Sequence, residues 1–218
     1  MSETAAPLRG NRLLIWCAVG LAVFALSKFV HTPAASAGSP QPAAAGDGPP
    51  KIFPTTGAEL GYAVPVQVDI PQVGLRADLI QVGLSAAKAI DVPPLDQAQK
   101  AGWYDEGPAP GQIGAAVIDG HVDSNEIPAP HQGAFYRLGL VGVGDTVDVT
   151  RADHMVAVYQ VDQVESVSKQ EFPTDRVYSK VPFAALRLIT CGGDFDYQAH
   201  SYLNNVIIYA HLTGSHAE

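Results

Sequence analysis

Two residues far apart in the sequence have side chains that could perform nucleophilic chemistry together. Cys191 ends an apolar run, 186–190, and two glycines follow it, where a loop could open toward a substrate. A thiolate nucleophile needs a base or an ion-pair partner, usually histidine. His121 is the candidate among the seven histidines, because it follows the apolar run 114–118 and a glycine. A cysteine and a histidine at two strand ends could meet at one mouth of a barrel, whereas the alternative is a buried, inert cysteine.

Length and composition limit the function classes. The chain has 218 residues, 47% of them hydrophobic, which suffices for one domain with a sizeable core. It carries 13 Lys and Arg against 22 Asp and Glu, so it lacks the basic surface that nucleic-acid binding requires. The 21 Gly and 17 Pro favour turns and short strands over a helical bundle. Two cysteines are too few for a disulfide-built scaffold or a zinc ribbon.

The first 30 residues predict a membrane-targeting segment. Residues 1–12 form a basic tail, and 13–30 form an apolar run of 18 residues with one lysine, close to the roughly 20 that a spanning helix needs. Arg9 and Arg12 precede the run, on the side that the positive-inside rule assigns to the cytoplasm. We expect an uncleaved signal anchor, with a signal peptide cleaved after 35–37 as the alternative. Either interpretation predicts a cell-membrane location, single-pass for the anchor, with the domain outside the cell.

A linker and one folded domain follow the apolar run. Sixteen of the 20 residues in 31–50 are Ala, Pro, Gly or Ser, a composition that buries too little surface to fold. The folded domain is therefore predicted over 51–218. Its short apolar runs, broken by Gly and Pro, predict an all-β barrel or sandwich with one helix candidate at 95–101, a weaker turn at 133–138, and Trp103 and Tyr104 in a loop. The predicted strands are 64–70, 79–82, 114–118, 146–150, 155–164, 186–190 and 205–210.

Several short motifs surround the two candidate residues. Gly120-His121-Val-Asp-Ser is followed, 70 residues after the histidine, by Leu188-Ile-Thr-Cys191-Gly-Gly-Asp-Phe-Asp. Between and beside them lie Pro110-Gly-Gln-Ile-Gly, Phe135-Tyr-Arg-Leu, Gly144-Asp and the stretch 202–210. With these motifs, spread over 64–212, the chain resembles the sortases, and more narrowly the actinobacterial class E/F, often called class F.

The resemblance implies an eight-stranded β-barrel and a cysteine transpeptidase. Sortases cleave a short sorting signal, typically Leu-Pro-x-Thr-Gly, near the C-terminus of a secreted protein, and an amine, usually on a cell-wall precursor, then resolves the acyl-thioester. By this resemblance Cys191 would be the nucleophile, and His121 would protonate the leaving amine and later deprotonate the incoming one. The implied partners are secreted proteins with an LPxTG-like signal, an envelope amine and the membrane, and no cofactor is implied.

The sequence departs from the family at the arginine that stabilises the oxyanion. Sortases usually carry it on the strand after the cysteine, but no Arg or Lys follows Arg187 in this chain. Strand alternation places Arg187 on the face of Cys191, roughly 13 Å away at about 3.3 Å per residue. We predict that Arg187 is the functional arginine. The alternative oxyanion donors are the side-chain amides of Asn204 and Asn205. If Arg187 has no catalytic function, we expect it to be a surface arginine with a solvated tip.

Two other function classes stay open. An L,D-transpeptidase also pairs cysteine with histidine, although usually with both close in sequence. An anchored binding domain that has lost catalysis would account for the missing late arginine. Asp119, Asp123 and Asp194 flank the candidate residues, but no Asp-x-Asp-x-Asp-Gly loop is present, so no metal is predicted.

Overall fold

The chain folds as a closed β-barrel in a computed structural model that describes residues 40–42, 57–85 and 90–218. The described residues form one α-helix, α1, at Thr174–Tyr178 and 3₁₀ turns at Pro71–Val73, Leu95–Gln97, Leu138–Leu140 and Lys169–Glu171. They form eight strands: β1 Pro65–Ile70, β2 Leu75–Val82, β3 Ala101–Tyr104, β4 Gly114–Asp119, β5 Thr146–Arg151, β6 Met155–Ser168, β7 Ala184–Asp196 and β8 Ser201–Ala217. The eight-stranded barrel implied by the family resemblance is confirmed.

Two parallel strand pairs interrupt an otherwise antiparallel barrel. Around the barrel the order is β1, β2, β3, β4, β7, β8, β6 and β5, and β5 closes on β1. Strands β2 and β3 are parallel, and so are β4 and β7. Because parallel neighbours end at the same edge of a sheet, β4 and β7 deliver the residues that follow them to one place.

The residues inside and outside the barrel follow the strand alternation. On β7, Leu186 and Leu188 point inward and pack in the core with the fully buried Trp103 and Tyr159. A second apolar cluster, which includes Val117, Val177, Ile207 and Tyr209, lies on the outer face, where α1 packs. Because both faces are covered there, every residue of β4 is buried, which explains its uninterrupted apolar sequence.

The sequence predicted seven strands in the right places and mistook the eighth. The helix expected at 95–101 is wrong: a single 3₁₀ turn ends at Gln97, and Ala101 begins β3 by pairing with Leu79. The Ala98 carbonyl accepts from the Ala134 amide at 2.7 Å. The chain between the 3₁₀ turn and β3 is therefore held by a tertiary contact and not by helical hydrogen bonds. Trp103, expected in a loop, is a core residue of β3.

The predicted N-terminal segments lie almost wholly outside the described residues. The apolar run 13–30 is among them, and so is the linker apart from 40–42. Within the described ranges, no helix has the length and apolar character needed to cross a membrane.

Candidate active site

The register between β4 and β7 brings His121 and Cys191 to the same level. Asp119, the last residue of β4, pairs with Ile189, and His121 and Cys191 each come two residues after this pair. The Gly120 amide donates to the Ile189 carbonyl at 3.1 Å, which extends the pairing beyond β4. Neighbouring strands are about 4.8 Å apart, a separation that the two side chains can span. The structure therefore brings together the two residues that the sequence places 70 positions apart.

A side-chain hydrogen bond adds to this pairing. The Thr190 hydroxyl donates to the Gly120 carbonyl at 2.7 Å, so the residue before the cysteine contacts the residue before the histidine. Thr190 is buried, and its hydroxyl needs a partner of this kind. The bond fixes the spacing of the two strand ends directly beneath the candidate pair.

Close packing holds the backbone of His121. Its carbonyl accepts from the Phe135 amide at 2.9 Å, and the next carbonyl, of Val122, accepts from the Gly133 amide at 2.8 Å. A Cβ on Gly133 would lie 2.2 Å from the His121 carbonyl oxygen, and one on Gly120 would lie 2.8 Å from the Phe135 ring. Glycines at both positions let the returning chain pack directly against the histidine backbone.

One nitrogen of the His121 ring is already occupied. Its Nε2 lies 2.6 Å from the Pro93 carbonyl oxygen, which can only accept, so Nε2 carries a proton. The other nitrogen, Nδ1, is then the one that can gain or lose a proton, and the Pro93 contact suits both the neutral and the charged ring. A half-buried imidazole in this state can act as a general acid and base.

Cys191 is a half-buried free thiol where β7 begins to distort. The register with β8 shifts just beyond it, between Gly192 and Phe195. Gly193 has a φ of +77°, in the region that favours glycine, and a Cβ on Gly192 would lie 2.7 Å from a Val206 methyl. The described linker residue Gln41 accepts from the Gly193 amide at 2.6 Å. The two glycines thus redirect the strand after the thiol, as the sequence suggested.

Arg187 is buried and engaged four residues before Cys191. It is 3% exposed, so the solvated surface arginine considered from the sequence is wrong. Its guanidinium carbon lies 4.8 Å from the centre of the Tyr209 ring, and one of its terminal nitrogens donates to the Leu186 carbonyl at 3.0 Å. Burial lowers the pKa of Arg187 to about 10, against the attraction of Asp162. The structure places this cation beside Tyr209, the residue opposite it on β8, and not beside the thiol.

The two asparagines proposed as alternative donors face different sides. Asn205 pairs directly with Cys191 across β7 and β8, so the two share a face. Asn204 pairs with Gly192 instead, and its amide nitrogen donates to the Ser166 hydroxyl at 3.2 Å. Of the donors considered from the sequence, Asn205 is the nearest to the thiol.

The three flanking aspartates have separate roles. Asp123 accepts from the Tyr202 hydroxyl, at 2.8 and 3.0 Å to its two oxygens, which links the histidine loop to the start of β8. Asp194 is exposed. Asp119 is buried on the outer face, and its Oδ1 has no hydrogen-bond partner among the residues 40–42, 57–85 and 90–218. Among the residues that the structure describes, no three His, Cys, Asp or Glu side chains gather closely enough to hold a metal ion.

Sequence reasoning missed three contributors to this region. Pro93, Tyr202 and Tyr209 contact His121, Asp123 and Arg187, respectively. The only signal in the sequence was the place of Tyr202 and Tyr209 within the stretch 202–210, which the family resemblance singled out. Nothing in the local sequence marks Pro93, because its carbonyl acts through tertiary placement.

Comparison with known proteins identifies the family. A model of the sortase domain matches residues 68–213, about two thirds of the chain. This chain belongs to the sortase family. A sequence comparison with curated proteins gave no match. The match to the sortase domain favours a sortase over the L,D-transpeptidase alternative.

Solved sortase structures share the fold. Sortase A of Listeria monocytogenes is 17% identical, with 72% of this chain and 92% of that chain covered and a TM-score of 0.52. A lid mutant of sortase A from Corynebacterium diphtheriae is 19% identical, with 69% and 70% covered and a TM-score of 0.50. At such identities the likeness concerns the barrel, and the residues of this sortase must be argued from their own contacts.

Proposed function

We propose that this sortase is a cysteine transpeptidase that cleaves an LPxTG-like signal of secreted proteins and transfers the new carbonyl end to an amine of the cell envelope. The observation that supports the proposal most is that Cys191 on β7 and His121, just beyond β4, each lie two residues past the paired positions Ile189 and Asp119. Membership of the sortase family supports it. Both residues are half-buried, so a peptide can reach them while part of the surrounding water is excluded.

The proposed reaction has two acyl transfers. The Cys191 thiolate attacks the threonine carbonyl carbon, and the tetrahedral adduct collapses as the carbon–nitrogen bond breaks. The His121 imidazolium gives its Nδ1 proton to the leaving amine, which departs with the glycine side, and a thioester remains. The acceptor amine then attacks the thioester, His121 takes up its proton, and the carbon–sulfur bond breaks to regenerate the thiolate.

The tetrahedral adduct needs a hydrogen-bond donor for its oxyanion. Such a donor is worth about 2.7–4 kcal/mol of barrier. We propose the Asn205 side-chain amide, because it lies opposite Cys191, with Arg187 as the alternative predicted from the sequence. For Arg187 to act directly, its guanidinium would have to leave Tyr209.

The cellular setting is a further part of the proposal. The apolar run 13–30 after Arg9 and Arg12 would anchor the chain as a single-pass protein of the cell membrane, with the barrel outside. The resemblance of the motifs around His121 and Cys191 supports the proposal that this sortase is of class E/F.

The proposal is tested by intact-mass spectrometry of the chain incubated with a Leu-Pro-x-Thr-Gly peptide library. We expect an acyl adduct on Cys191 and its loss when an amine is added. Cys191→Ala should form no adduct and should retain less than about a thousandth of the wild-type rate. A thiol that titrates normally and yet forms no adduct with any peptide would favour a non-catalytic binding domain.

A further inference from the structure

Asp119 has a place that the proposed reaction does not use. It ends β4, pairs with Ile189 on β7 and with Gly102 on β3, and is 9% exposed. Within the described part of the chain, its Oδ1 has no hydrogen-bond partner. A buried carboxylate oxygen without a partner is costly, so its presence in a folded protein calls for an explanation.

The unpartnered oxygen lies on the outer face, in the space above a glycine. A Cβ on Gly102 would lie 2.6 Å from Oδ1, so the missing side chain makes room for the carboxyl group. Tyr104 continues this face of β3, and Ile189 continues it on β7; both are partly buried against the outer apolar cluster. We call the surface formed by Gly102, Tyr104, Asp119 and Ile189 the Asp119 site.

Among the residues that the structure describes, no cation compensates the charge of the Asp119 site. Burial is the main cause that raises the pKa of Asp119 to about 7, and the negative charge of Asp91 acts in the same direction. The other titratable groups that face it are hydroxyls, Tyr104 on β3 and Tyr178 on α1, and the Tyr178 hydroxyl itself feels the Asp119 charge. No cation among the described residues acts on Asp119. A positive group brought by a ligand would therefore find an unpaired acceptor in a setting of low polarity.

The position of the site relative to Cys191 indicates which group that is. Asp119 is level with Ile189, two residues before the thiol, which is about 7 Å along the strand. A reacting amine must approach to about 3–3.5 Å of the carbonyl carbon, so it cannot rest on Asp119 while it attacks. An extended peptide with its scissile carbonyl at Cys191 would instead place a side chain about two residues away at this level.

We propose that Asp119 selects sorting signals that carry a lysine or arginine about two residues from the scissile bond. This inference rests on the proposed transpeptidase function and adds a charge requirement to its substrate. The buried carboxylate and the ammonium or guanidinium of the signal form an ion pair, and their attraction offsets the free energy that each charge loses when it leaves water. The site thus adds a charge filter beside the catalytic pair.

The test is single-turnover acylation of Cys191, measured by intact mass, with peptides in a Leu-Pro-x-Thr-Gly frame. Each position within three residues of the scissile bond carries either lysine or norleucine, which has a similar shape and no charge. We expect at least a tenfold preference for lysine at one position at pH 8, and a smaller preference at pH 5.5. Asp119→Asn should reduce that preference below threefold while norleucine peptides still react.

The matched control is Asp105→Asn, which removes one exposed charge directly after β3 and should keep the preference. In the Cys191→Ala background, calorimetry should show the lysine peptide binding at least tenfold more weakly once Asp119→Asn is added. Norleucine peptides that acylate as well as every lysine peptide would overturn this inference and leave the transpeptidase standing. A lysine preference that persists in Asp119→Asn, or that appears only when the acceptor amine is present, would also overturn this inference and leave the proposed transpeptidase function intact. Failure of all peptides to acylate Cys191 would overturn both proposals.

Discussion

Cys191 and Arg187 lie on the same face of the same strand, yet their surroundings are opposite in kind. Around Cys191, at what we call the open end, the neighbouring side chains of His121 and Asn205 are partly exposed. Around Arg187, at the closed end, the cation is covered by Tyr209 and attracted by Asp162. The closed end compensates its cation in part, through the Tyr209 ring, Asp162 and the Leu186 carbonyl, whereas the open end presents partly exposed polar groups to a substrate.

The difference follows from what covers the outer face. Helix α1 packs over β4, β7 and β8, with Val177 in the outer apolar cluster. Arg176, in the same helix, pairs with Glu165 at 3.0 Å. Helix α1 does not extend over the part of β7 that carries Cys191, where Gly192 and Gly193 follow the thiol. Position along one strand thus decides whether a polar residue belongs to the framework or to the chemistry.

The largest expected effect on this comparison comes from His121→Ala at the open end. Loss of the proton donor should lower kcat by about 10²- to 10⁴-fold, with the fold intact, as measured by steady-state transfer of a signal peptide. His131→Ala is the matched control, because that ring contacts the Ile127 carbonyl in the same loop and should affect kcat little. Equal losses for the two variants would remove His121 from the mechanism.

The next test compares Asn205 with Arg187, one residue from each end. We expect Asn205→Ala to lower kcat by about 10²- to 10³-fold, the loss typical of a missing oxyanion donor. Arg187→Met should change kcat by less than tenfold, because the apolar chain replaces a buried cation whose partners belong to the framework. Thermal unfolding of each variant separates catalysis from stability. A kcat close to wild type for Asn205→Ala, together with a large loss of kcat for Arg187→Lys, would show that the sequence-based prediction of Arg187 as the functional arginine is right.

Sequence reasoning reached further at the open end than at the closed end. His121 and Cys191 each follow an apolar strand and sit beside glycines, signals that are local and can be read from a few residues. Most of the strands also followed from local alternation, although that pattern left a barrel and a sandwich open. The burial of Arg187 did not, because it depends on Tyr209 from β8 and on the cover that α1 provides.

The missed elements have the same physical origin. Helix α1 has five residues, too few for an apolar period to show, and is stabilised by packing rather than by propensity. Strand β3 has four residues and a glycine, and it forms because Ala101 finds a partner on β2. The unpartnered oxygen of Asp119 is likewise visible only once Gly102 lies beside it.

Asp119 extends the comparison between the open and closed ends. Arg187 has Tyr209 and Asp162 beside its charge, whereas no described group of opposite charge acts on the buried Asp119 carboxyl group. Its pKa of about 7 exceeds the ordinary 3.8, so the folded state binds a proton more tightly than the unfolded chain. The free energy of unfolding should therefore fall as the pH rises from about 4 to 7, and the full penalty should persist above pH 7. A difference of about three in pKa corresponds to at most about 4 kcal/mol.

The corresponding variant is Asp119→Asn, followed by urea unfolding between pH 4 and pH 8.5. It should be more stable than the wild type at pH 8.5, by up to about 4 kcal/mol, and close to it at pH 4. Asp105→Asn should show no such trend, because that carboxylate is exposed. An equal stability difference at both pH values would mean that the Asp119 carboxyl group does not titrate as its burial requires.

The smallest expected effect concerns the link between the histidine loop and β8. Tyr202→Phe removes the hydroxyl that donates to both oxygens of Asp123, two residues after His121. Burial raises the pKa of Asp123 and the Tyr202 hydrogen bond lowers it, so that pKa should rise further in the variant. Because the link positions His121 without touching the substrate, we expect kcat to fall by less than about tenfold with KM unchanged. Asp123→Asn keeps an oxygen that accepts from Tyr202 and should retain more activity than Tyr202→Phe. If KM rises instead while kcat holds, the link acts on the substrate and not on the histidine.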